Sequence, residues 1–122
     1  MQKAGQRNLS GFFNFQVMKS IKSSNAEQKK NPHGLDVKAM YNNHDIQMMI
    51  VNIEAGQSMK PHTTPCDAVF YILEGRATIH IGNETEEHCE GTLIESPADI
   101  EHFISNGSDS LTKIMVIKTG RK

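Results

Sequence analysis

Residues 91–106 read GTLIESPADIEHFISN (Gly91–Asn106), two short apolar runs on either side of a proline. The first, TLIES, stops at Pro97, which cannot donate to a strand ladder. The second, IEHFIS, ends at Asn106-Gly107, a turn pair. Side chains alternate along an extended segment, so Ile100, His102 and Ile104 share one face. An imidazole flanked two residues away on each side by isoleucine points where they point, which is inward. The stretch therefore predicts two strands joined by a tight turn, with one inward histidine.

The same rhythm extends in both directions. Strand signals are expected at LDVKAMY (Leu35–Tyr41), IQMMIVNI (Ile46–Ile53), AVFYIL (Ala68–Leu73), RATIHI (Arg76–Ile81), the polar segment Glu84–Cys89, and LTKIMVIK (Leu111–Lys118). Gly82-Asn83 between two of them marks a tight hairpin. Eight short strands with Gly, Pro and Asn punctuation, and no helical period after residue 34, predict an all-β sandwich or barrel. Ile46–Ile53 and Ala68–Leu73 are apolar on both faces. One face would pack inward and the other against a second sheet or a second copy, so a homodimer is expected.

Composition narrows the function classes. The 122 residues carry a formal net charge of −1, with 22% charged and 37% hydrophobic residues, close to the soluble globular norm. The absence of a basic surplus argues against nucleic acid as a partner, and no run approaches the roughly 18 apolar residues of a membrane span. Cys66 and Cys89 form no CxxC pair, so free thiols in a reducing cytoplasm are expected. Residues 1–30 read as an N-terminal extension or flexible arm and 31–122 as the barrel domain. Met18 would serve as an alternative start, and Phe12, Phe13 and Phe15 would dock on a partner subunit if the arm is functional.

A second histidine stands in KPHTTPC (Lys60–Cys66), at His62. The two histidines lie 40 positions apart, and both follow proline-containing turns. The surrounding spacings resemble the cupin superfamily, in particular its small single-domain members of the conserved-barrel type. The first cupin motif is Gly, five residues, His-x-His, three or four residues, Glu, six residues, Gly; here Gly56, His62 and Gly75 fall in register. The second is Gly, five residues, Pro-x-Gly, two residues, His, three residues, Asn; here Gly91, Pro97, His102 and Asn106 match. The resemblance covers roughly 36–118 and implies a cupin-type β-barrel (double-stranded β-helix, or jelly roll) with both motifs lining one pocket.

The resemblance also implies a metal site of three histidines and one glutamate, and here the chain departs from it. Thr64 stands at the second His position, Ala68 at the Glu position and Asp99 at the glycine of the second motif. A divalent metal (zinc, iron, manganese or nickel) would rest on His62 and His102, with Cys66 and Gln47 as further candidate ligands. Against that, Cys66 reads more readily as an inert buried thiol, and His102 equally as a neutral hydrogen-bonded imidazole. His33, His44, His80 and His88 read as surface residues.

Two function classes follow. In one, a metal on His62 and His102 acts on a small oxygenated substrate. In the other, a pocket lined by Phe70, Ile72, Ile79, Ile100 and Ile104, with polar groups at His62, Thr64 and His102, holds a metabolite without a metal and without catalysis. Neither a nucleophile–base pair nor paired carboxylates mark a reaction.

Overall fold

A computed structural model describes residues 17–120 of the chain; the phenylalanine cluster lies outside them. The described residues form nine strands, in chain order β1 (Glu27–Gln28), β2 (Asp36–Asn42), β3 (Ile46–Ile53), β4 (Asp67–Glu74), β5 (Arg76–Ile81), β6 (Glu84–Cys89), β7 (Leu93–Ser96), β8 (His102–Ser105) and β9 (Thr112–Thr119). They make a six-stranded sheet of order β1-β2-β3-β9-β4-β7 and a three-stranded sheet of order β6-β5-β8, and every strand pairing is antiparallel. Eight of the nine fall on the expected runs. The extra one, β1, is two residues long and pairs with Lys38 and Ala39 of β2, too short for any periodicity to announce it. Among the described residues before position 31, Ala26 is buried and β1 joins the sheet.

The core lies between the two sheets. Val51, Ile53, Phe70, Ile72, Ile114 and Val116 face inward from the large sheet and meet Ala77, Ile79 and Ile104 of the small one. Phe70, Ile72, Ile104 and Ile114 are at most 2% exposed, and each such side chain is worth about 1.5–3 kcal/mol relative to exposure. This alternation is what period two along β4, β5 and β9 requires.

Two motif positions fix turns. Gly75 has φ of +82°, and a Cβ there would meet the Leu111 carbonyl oxygen at 2.6 Å, so only glycine lets the β4–β5 corner pass under the start of β9. Asp99, where the resemblance implies glycine, has φ of +66°, the one non-glycine residue in the left-handed region among the described residues. Its amide donates to the Thr64 carbonyl at 2.8 Å, which ties the turn before β8 to the first-motif segment.

Candidate functional site

The two motif histidines meet because their backbones pair. His62 N–H donates to His102 O at 3.1 Å and His102 N–H to His62 O at 2.9 Å, an isolated antiparallel bridge. Residues directly opposite in such a pair project to the same side, and the two rings lie 4.4 Å apart, centroid to centroid, nearly edge to face. Phe70 of β4 packs beneath, its ring 5.7 Å from that of His102. His102 is buried and His62 half-buried.

Above the Phe70 ring is a cavity of about 210 Å³. Val37, Met49, Val51, Met59, Phe70 and Val116 form its apolar wall. Its charged and titratable lining is cationic or imidazole: Lys29, Lys30, His33, His62, His102 and Lys118, with no aspartate or glutamate among the described residues that line it. A separate and more open groove of about 510 Å³ carries Glu84, Glu86, His88 and Glu95 beside Ile79, Ile81 and Ile100, and a third hollow of about 390 Å³ is lined by Asp67, Ala68, Glu95, Ser96 and Thr119.

Of the expected pocket residues, His62, Phe70 and His102 come together in the cavity. The others do not. Ile100 is 40% exposed, precedes β8 and lines the open groove instead; strand alternation fails there because β8 starts only at His102. Ile72, Ile79 and Ile104 are buried in the core and do not line the cavity. Thr64 is buried, but its hydroxyl donates to the Cys66 carbonyl at 3.2 Å. The first-motif segment holds only isolated bridges, at Ser58 and His62, and bends by Cys66, so Thr64 and Cys66 do not follow the histidine into the cavity lining. Cys66 is a buried free thiol, and Gln47 directs its amide to the Met49 sulfur at 3.8 Å.

Conversely, His33 and Lys118 line the cavity although nothing in the motifs points to them. The segment before β2 is folded around Asn31, whose Oδ1 accepts from the His33 and Leu35 amides at 3.0 and 3.2 Å and whose Nδ2 donates to the Leu35 carbonyl at 2.9 Å. That loop sets the His33 ring 5.0 Å from His62. Lys118 was legible only by parity, as the next inward position after Ile114 and Val116 on β9.

The hydrogen bonds assign the ring tautomers. His62 Nδ1 lies 3.1 Å from the Lys60 carbonyl oxygen and His102 Nδ1 3.2 Å from that of Ile100. A carbonyl only accepts, so each Nδ1 carries the hydrogen, and the neutral ring keeps a lone pair on Nε2. His33 is the reverse: its Nδ1 accepts the Lys60 amide at 2.8 Å, leaving Nε2–H as a donor. Burial, then the His62 ring, hold the His102 imidazolium below the ordinary value of 6.5, with Lys118 adding to the effect against a bond to Ile100 that opposes it. Burial first, then His62, Lys60, Lys118 and His102, depress His33 in the same direction.

The residues present do not fit a resident divalent metal. Two Nε2 lone pairs are oriented as metal ligands would be, through Nδ1–H bonds to backbone, but they are the whole set. His33 cannot join them, because one nitrogen accepts a backbone amide and the other carries a hydrogen. Ala68 offers no carboxylate, and its cross-strand partner on β9 is Lys118, an ammonium where a cation would need a negative group. Among the described residues, no group of three or more His, Cys, Asp or Glu is placed to hold a metal ion.

Comparison with known proteins agrees with the fold. The chain is 33% identical over 66 residues to an uncharacterized protein of Streptomyces coelicolor, covering 52% of this chain and 61% of that one, so it spans less than two thirds of that relative. It is similar in structure to the TT1209 protein from Thermus thermophilus, with TM-score 0.72, 24% identity, and coverage of 85% of this chain and 100% of that one. A cupin with a double-stranded β-helix fold from Methanocaldococcus jannaschii superposes with TM-score 0.70 at 18% identity, covering 86% and 93% of the two chains. Residues 49–118 match the family described as the Cupin domain, which is more than half of the chain, and with both motif histidines paired inside the barrel the chain belongs to that family.

Proposed function

We propose that this protein binds a small organic molecule in the cavity beneath His62 and His102, as a binding domain without a resident metal. The cavity itself carries the reading: an apolar wall around Phe70 and Met59, closed by a few polar groups of defined tautomer, is the make-up of a small-molecule site. The alternative, a zinc, iron, manganese or nickel ion on His62 and His102, has less support, since Thr64, Cys66 and Gln47 supply no third ligand and Lys118 opposes a cation. In the test, untagged protein is titrated with a mixture of small neutral aromatic compounds and followed by methyl NMR. Shifts concentrated at Met59, Met49, Val51 and Val116 are expected. Shifts that are absent, or scattered over the outer surface, would contradict the reading.

A homodimer through the outer face of the large sheet belongs to the same proposal. Register aligns Ile50, Met115, Tyr71 and Leu93 in one row, and Met48, Ile117 and Val69 in the next. Tyr71 and Leu93 are exposed, and most of the others half-buried, which is an apolar stripe suited to a second copy. The free thiols of Cys66 and Cys89 support a reducing, cytoplasmic setting, and no described helix is long and apolar enough to cross a membrane.

A further inference from the structure

We propose that the molecule held in this cavity is a phenol, a small aromatic ring whose hydroxyl donates its hydrogen to Nε2 of His102. The inference rests on the pocket reading above and names its ligand class.

The polarity of the imidazoles is the first ground. His102 is 3% exposed and lines the cavity. Its Nδ1–H is committed to the Ile100 carbonyl, and its Nε2 lone pair makes no hydrogen bond to any described residue. Buried polar atoms are ordinarily bonded, so a ligand that brings a hydrogen satisfies an acceptor the fold leaves unmatched. His62 repeats the arrangement, with Nδ1–H on the Lys60 carbonyl and Nε2 as the acceptor. Lys118 also lines the cavity but already has a partner of its own, so polar recognition falls to the imidazoles. Two acceptors of fixed tautomer select a hydrogen-bond donor. A carboxylate, an ether or a halide brings lone pairs only, and would set them against those of Nε2.

His33 and the apolar wall narrow the donor. The Lys60 amide fixes His33 Nε2–H as a donor, 5.0 Å from His62 between ring centroids, so the histidine cluster gives as well as accepts. A hydroxyl does the same, whereas an indole N–H donates only. Phe70, tilted 59° to the His102 ring, stands with Met49 and Met59 on the wall. Rings and thioethers of this kind favour an aromatic body through face and edge contacts. At about 210 Å³, the cavity is smaller than the roughly 300–1,000 Å³ of drug-sized sites and suits a single ring. An aliphatic alcohol would forgo the ring contacts, and its less acidic hydrogen makes a weaker bond to imidazole.

The test compares p-cresol, its methyl ether and p-xylene by NMR titration of the full chain at neutral pH. All three carry a methylated ring; the first donates and accepts a hydrogen bond, the second only accepts, and the third does neither. The cresol is expected to bind at least about tenfold more tightly than either of the others. It should also move the His102 Nε2 nitrogen resonance upfield, which p-xylene should leave in place. The preference should vanish in His102→Phe, which keeps a ring but no acceptor, and persist in His44→Gln, at an exposed position. Because the wild-type comparison needs no variant, misfolding of His102→Phe cannot mask the answer. Equal binding of cresol and xylene, or an ether that binds as tightly as cresol, overturns the inference and leaves the pocket reading intact. Failure of all three, with silent cavity methyls, overturns the two together.

Discussion

His102 is where sequence, burial and charge converge. It is an inward, backbone-paired residue of β8, and its Nδ1 bond to the Ile100 carbonyl leaves Nε2 as the acceptor of the neutral ring. Because burial, then His62, hold its imidazolium below 6.5, with His33 depressed likewise, the unfolded chain takes up these protons at higher pH than the folded one. Stability is then complete above about 6.5 and falls as pH drops below it. Thermal midpoints measured between about pH 7.5 and 5.5 are expected to decline with acid, and less steeply in His102→Gln. A flat profile in the wild type would contradict this. Asp99 makes a second residue-scale point. An aspartate in the left-handed region costs more than glycine there, so Asp99→Gly is expected to stabilise the protein by about 1 kcal/mol in urea unfolding.

At the scale of elements, the strands were legible and their ends were not. Period-two alternation and turn residues placed β2 to β9, because half-buried strands must alternate and corners must contain Gly, Pro or Asn. The histidine pair was legible through motif spacing. Thr64, Cys66 and Ile100 were misplaced for one reason: parity holds only along a continuous ladder, and the first-motif segment has isolated bridges at Ser58 and His62 followed by a bend, while the second-motif strand begins at His102. His33 was illegible because it is delivered by a loop whose shape rests on Asn31 rather than on any period. Asn31→Ala is accordingly expected to loosen His33 while leaving the barrel intact, seen as a changed His33 ring resonance with little loss of thermal stability. Gly75→Ala, by contrast, forces a Cβ against the Leu111 carbonyl at a left-handed φ and should cost about 2 kcal/mol of folding stability.

At the scale of the whole molecule, the two faces of the large sheet differ in character. The inner face ends in the cationic cavity, and the outer face carries the apolar rows through Ile50, Met115 and Tyr71. Light scattering at micromolar concentration is expected to give the mass of a dimer, and Met115→Asp with Tyr71→Lys to give a monomer with an unaltered cavity. A monomeric wild type would contradict the pairing. The central claim, that this barrel keeps the family's pair of histidines for an organic ligand in place of a resident metal, is most directly tested by metal analysis. Untagged protein would be incubated with zinc, iron, manganese or nickel at neutral pH and then exhaustively dialysed. A metal-free pocket predicts substoichiometric metal in the wild type and no difference in His102→Ala; one equivalent per chain that disappears in His102→Ala would contradict it.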